Sequence, residues 1–126
     1  MESILTTIKK LLGIDENCKD FDLDIISAIN SAFFFLTQLG VGPSSSFSIT
    51  GDSETWNDFI PEDVYGNHMA IRSYIHLRAR LIFDPPSNST LLQSIEKMIA
   101  ELEWRLNVAS DSIDYDGKEG DQDVRL

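Results

Sequence analysis

The tripeptide Asp84-Pro85-Pro86 limits the possible folds more than any other feature of this chain. A proline disfavours helical geometry at the residue before it and cannot continue the hydrogen-bond ladder, so any helix arriving from the N-terminal side stops there. The stop separates two runs of helical period. On one side Met69, Ile71, Tyr74, Ile75, Leu77, Leu81 and Ile82 lead up to Phe83; on the other Leu91, Ile95, Met98, Ile99, Leu102 and Leu106 form one stripe. Two such helices across so short a turn pack antiparallel. The first covers more than one face with apolar residues and is predicted to be the most buried helix of the chain.

Two more helices precede this pair. Ile4, Leu5, Ile8, Leu11 and Leu12 repeat at helical spacing before Gly13, where a left-handed C-cap is expected. A second run, Phe21, Ile25, Ile29, Ala32, Phe33, Leu36 and Leu39, starts near Asp20 or Asp22 as cap and ends at Gly40 and Gly42-Pro43. The reading is a mostly α, small four-helix domain with helices near 2–12, 20–39, 65–83 and 88–107, the last capped by Ser87, Ser89 or Thr90. Ile25, Ile29, Leu36, Tyr74, Ile75, Leu81, Ile95, Ile99 and Leu102 are its predicted core. A long loop rich in Ser, Gly and Asp joins helices 2 and 3, and within it the alternation around Phe47 and Ile49 hints at a short strand.

At 126 residues the chain suits one domain, here assigned to 1–107, followed by a flexible acidic C-terminal tail over 108–126. The tail holds Asp111, Asp114, Asp116, Glu119, Asp121 and Asp123 against Lys118 and Arg125, a composition that cannot support its own core. Ile113, Tyr115 and Val124 are spaced among these acids as anchors would be in a segment that folds on a partner.

Charge and residue usage narrow the function. A formal charge of −11 disfavours nucleic acid as a bound partner. The lone Cys18 cannot form an internal disulfide, which points to a reducing compartment. The longest apolar run, Ala32 to Leu36, is far short of a membrane span, and polar residues interrupt the first helix too often for a signal peptide, so a cytoplasmic site of synthesis is expected. Asp20, Asp22 and Asp24 alternate like the start of a calcium loop, but Ile25 and Ser31 stand where that loop needs Gly and Glu. His68 and His76 lie two helical turns apart with no metal-type neighbour. No catalytic, cofactor or metal site is expected, and the chain does not read as an enzyme.

Two features point instead to interfaces. Arg72, His76 and Arg80 are spaced four apart along one stripe of the third helix, with Arg78 off to another side; they are satisfied either by Glu96 or Glu103 of the fourth helix or by acidic groups of a neighbouring subunit. Phe33, Phe34 and Phe35 are successive residues turned by about 100° each, so they cannot share one core, and Trp104 lies opposite Leu102 and Leu106. Some of Phe34, Phe35 and Trp104 should therefore be exposed in a monomer, which favours oligomerisation or docking.

The order and spacing of several segments resemble the phage head-tail connector (portal adaptor) family. They are the opening helix leading into Leu12-Gly13-Ile14-Asp15, Asp24-Ile25-Ile26, Gln38-Leu39-Gly40-Val41-Gly42-Pro43, Trp56-Asn57-Asp58-Phe59, and Leu77 to Pro86 running into Glu101-Leu102-Glu103-Trp104-Arg105-Leu106. The resemblance implies a helical virion protein, assembled in the host cytoplasm, that forms a homo-oligomeric ring of about a dozen copies under the portal protein. It implies a tail-completion protein as the next partner and DNA only as passing cargo, which a negative ring would let slide. An acidic inhibitor or DNA mimic, and a generic helical protein-interaction module, are the other classes the composition allows.

Overall fold

The computed structural model describes residues 2–43, 45–61 and 69–110. Among them the architecture is helical, with no strand: α1 (Ile4–Leu11), α2 (Asp22–Gln38), α3 (Trp56–Phe59), α4 (Met69–Phe83) and α5 (Ser89–Ser110). The predicted residues 65–68 of the third long helix, and the tail from residue 111 onward, lie outside the described residues.

The local signals explain most boundaries. Ser3 caps α1 by accepting the Thr6 amide at 3.1 Å. Gly13 closes the helix at φ +81° while the Ile14 amide reaches back to the Lys9 carbonyl at 2.8 Å. Gly40, at φ +84°, does the same for α2, with the Val41 amide on the Leu36 carbonyl. The Asp-Pro-Pro stop ends α4 at Phe83 as read from the sequence.

Two caps differ from expectation. Phe21, not an aspartate, occupies the cap of α2 and offers no side-chain hydrogen bond; Asp22 and Asp24 sit in the first turn, where carboxylates favour the positive end of the helix dipole. α5 is capped by Asn88, whose side-chain oxygen accepts from the amides of Thr90 and Leu91 at 2.8 and 3.1 Å.

α2 lies antiparallel to α4: the rings of Phe21 and Phe83, one at the start of α2 and the other at the end of α4, meet edge to face at 5.5 Å. α5 runs back along α4, and its end is tied to the end of α2 by the Asn107 amide donating to the Leu39 carbonyl at 2.8 Å. The same carbonyl accepts from Ser110, and α5 runs three residues beyond the predicted 107. α1 packs across α2 and α4. Its far end is held by the Ile4 amide on the Glu54 carbonyl at 2.9 Å and by an isolated antiparallel bridge between Ser3 and Thr55.

The core is centred on α2, which buries Ile25, Ala28, Ile29, Ala32, Phe33 and Leu36; α4, expected to be the most buried, contributes Ile71, Tyr74, Ile75 and Ala79. Ile95, Ile99 and Leu106 of α5 are buried too, whereas Leu81 and Leu102 of the predicted core are only partly covered. For Leu102 the reason is that α5 packs chiefly on α4 and is otherwise peripheral. Phe47 and Ile49 form no strand. The side-chain amide of Asn30 takes the place of a partner strand, donating to the Ile49 carbonyl at 2.9 Å and accepting its N–H at 2.8 Å, and Phe47 packs against Phe33 and Phe59.

Candidate interaction surface

The helical phase of α2 that buries Phe33 turns Phe34 outward, where it is 54% exposed; Phe35 is intermediate. On α5 the residues that meet α4 are Ile95, Ile99 and Leu106, so Trp104 points away from the core and is 68% exposed. The exposed residues of α2 are Leu23, Asp24, Ser27, Phe34 and Gln38, and from residue 25 to residue 51 the chain has no charged side chain. On a protein carrying −11, the part of this surface beyond Asp24 is one that a neighbour can approach with little Coulomb repulsion.

Phe35 has a different role from its two neighbours. The Arg78 guanidinium lies over its ring at 3.9 Å, and Arg78 also reaches Glu103 of α5 at 3.4 Å. Glu103 accepts a second hydrogen bond, 2.7 Å, from the Tyr74 hydroxyl. Burial, together with that donated bond, holds the Tyr74 phenol far above its ordinary value and un-ionised. This group joins α2, α4 and α5. Of the two carboxylates considered for the stripe, Glu96 and Glu103, Glu103 is met by Arg78, the arginine that the spacing set aside.

Arg72, His76 and Arg80 do share one side of α4, all three partly buried. Arg72 lies over the Trp56 ring at 5.2 Å. His76 faces the end of α1, and burial with the nearby Arg80 cation holds its imidazole below the usual value, while the Leu11 backbone pulls weakly the other way.

Neither Arg72 nor Arg80 makes an ion pair among the described residues. The contrast with the other cations there is sharp: Lys9 pairs with Asp22, Lys10 with Glu2, Lys19 with Asp52, Arg78 with Glu103 and Arg105 with Glu101, leaving only Lys97 besides the two stripe arginines. His68 lies outside the described residues.

Sequence reasoning missed Lys9. It is 2% exposed, its ammonium 2.8 Å from Asp22, with the carbonyls of Glu16 and Cys18 accepting its other hydrogens. Asp22 is thus engaged by an ammonium, within the carboxylate run that resembled a calcium loop. A lysine within an amphipathic repeat carries no sign that it will be buried; only the fold brings the 16–18 carbonyls around it.

A family model described as phage connector protein matches residues 4–112. No curated protein and no solved structure matches the chain.

Proposed function

Because the chain belongs to the phage connector protein family, a structural component of the virion that links head and tail, we propose that it acts as an adaptor ring. Copies assemble side by side under the portal protein, hand on to a tail-completion protein, and leave a passage for DNA whose negative lining repels the duplex and lets it slide. Assembly takes place in the host cytoplasm, and no catalytic step is involved.

The observation that carries this reading is that the core closes without Phe34 and Trp104. Two large aromatics are left in water on the outward faces of two different helices. A ring is built head to tail, and such contacts need two different patches on each copy rather than one self-complementary patch. A DNA mimic would instead display carboxylates in a regular array over a broad face. Here α2, the longest described helix after α5, carries no charged side chain beyond Asp24.

The test is to replace Phe34 and Trp104 by Ser, singly and together. Each variant is expected to melt as the parent does and to lose retention on portal particles in sedimentation. Variants that melt normally and still load the portal fully would refute the assignment of these faces.

A further inference from the structure

We propose that the outward stripe of α5 in one copy packs in parallel on the outward face of α2 in the next, with Lys97 facing Asp24 and Trp104 seated on Ser31 beside Phe34. This inference rests on the ring reading and says which two faces meet at a seam. On α2, Asp24, Ser27, Ser31 and Phe34 follow one another at steps of three, four and three residues; on α5 the same steps connect Lys97, Ala100, Trp104 and Asn107. Such steps keep residues on one face of a helix. Seven of the eight are exposed and Ser31 is partly so. Both stripes are uncovered, and both have the spacing by which two helices interlock knobs into holes.

Set side by side in parallel, the stripes match residue for residue. Asp24 meets Lys97, Ser27 meets Ala100, Ser31 meets Trp104 and Phe34 meets Asn107. Each large ring thus lies across from a small or short polar side chain, and the carboxylate lies across from the ammonium. Val108, exposed beside Asn107, gives Phe34 an apolar neighbour across the seam. Glu101 borders the α5 stripe, but Arg105 holds it at 2.7 Å, and α2 adds no charge beyond Asp24, so two chains of −11 meet here without like charges opposed. The antiparallel setting loses this match, because Asp24 then meets Asn107 while Lys97 meets Phe34 at the other end. Pairing α2 with α2 about a two-fold axis brings Asp24 onto Phe34 with no cation opposite, and closes a dimer rather than a ring.

The fold supplies the direction. α2 and α5 both run antiparallel to α4 and so point the same way within one copy. A ring axis along the bundle leaves helix directions unchanged from copy to copy, so α5 of one copy reaches α2 of the next in parallel, the setting that the charges require. Seven residues separate Asp24 from Ser31 and Lys97 from Trp104, about 10 Å along each helix, so the ion pair and the Trp104 contact form together.

The experiment uses full-length chains carrying Cys18→Ser, so that an added cysteine is the one thiol in each. Asp24→Cys and Lys97→Cys are made in separate chains. A short bismaleimide is applied to each alone and to an equimolar mixture, free and on isolated portal rings, with folding checked by thermal melting. The mixture is expected to give a cross-linked pair holding one chain of each kind, and neither chain alone to give a product. Adding Phe34→Ser to the first chain, or Trp104→Ser to the second, should lower the yield of the pair at least about tenfold, since central aromatics carry much of an interface's binding energy. A product from either chain alone would mean that like faces meet and would overturn the inference. A pair from Asp24→Cys with Asn107→Cys, and none with Lys97→Cys, would overturn the parallel register. No pair from chains that still assemble as the parent does would overturn the inference and leave the ring standing. A parent chain that stays monomeric with and without portal would overturn the ring reading and this inference with it.

Discussion

Replacing Lys9 by Met tests how α1 is fixed to the rest of the domain. The exchange preserves most of the aliphatic stem of a residue that is 2% exposed and removes only the ammonium. Left behind are the Asp22 carboxylate, previously 2.8 Å from that ammonium, and the carbonyls of Glu16 and Cys18. Stranding one partner of a fully buried ion pair costs about 3–5 kcal/mol, and a buried polar group without a partner about 1–3 kcal/mol. The Asp22 side chain keeps 20% of its surface in water, which lowers the penalty. A loss of about 2–4 kcal/mol follows, equivalent to about 8–16 °C in Tm for a domain of this size.

Thermal melting followed by circular dichroism, with urea unfolding as a second probe, measures it. Lys10→Met, which breaks the exposed pair with Glu2, is the control and should not move Tm measurably. The double variant Lys9→Met/Asp22→Leu should recover much of the loss, since it removes the stranded charge. A Lys9→Met protein melting within about 2 °C of the parent would refute the reasoning and mean that water reaches the ammonium freely.

Other perturbations follow from the same packing. Ile99→Ala is expected to cost about 3 kcal/mol and Leu102→Ala about half as much in urea unfolding, because only the first is fully covered. Gly42→Ala is expected to cost about 2 kcal/mol, more than Gly13→Ala, since both glycines have positive φ but a methyl at Gly42 would meet the Phe59 ring at 2.7 Å while Gly13 faces open space; equal losses at the two sites would show that the ring simply moves aside. His76 is held below its ordinary 6.5 in the folded chain, so its neutral form favours folding above that pH and the contribution is lost as pH falls through the lowered value. Tm should therefore drop between about pH 7.5 and 5.5, and drop less in His76→Gln; identical pH slopes for the two proteins would contradict this.

The sequence disclosed those parts of the fold governed by local chemistry. The Asp84-Pro85-Pro86 stop, the glycine caps at Gly13 and Gly40, and the helical phases that bury Ile25, Ile29, Tyr74, Ile75 and Ile99 all follow from rules acting over a few residues. The outward turn of Phe34 and Trp104 comes from the same periodicity.

What the sequence did not disclose depends on contacts between distant segments. Asn30 reads as a polar helix residue, yet it binds Ile49 nineteen positions away and so replaces the strand that the Phe47 and Ile49 alternation suggested. α3 is too short to show a period and is set by the Thr55 amide donating to Asp58 at 2.8 Å. Spacing identified which arginines share a face but not that Arg78, off that face, meets Glu103, because that depends on the crossing of α4 and α5.

Counting copies of this chain per portal particle tests the central claim most directly. Purified chain is added in excess to isolated portal rings, unbound protein is removed by sedimentation, and the mass of the bound complex is measured by native mass spectrometry. The account expects a closed complement of many copies on each portal, reached in one cooperative step, with few partly loaded particles. A single copy per particle, a graded distribution without a preferred number, or no binding at all would contradict it.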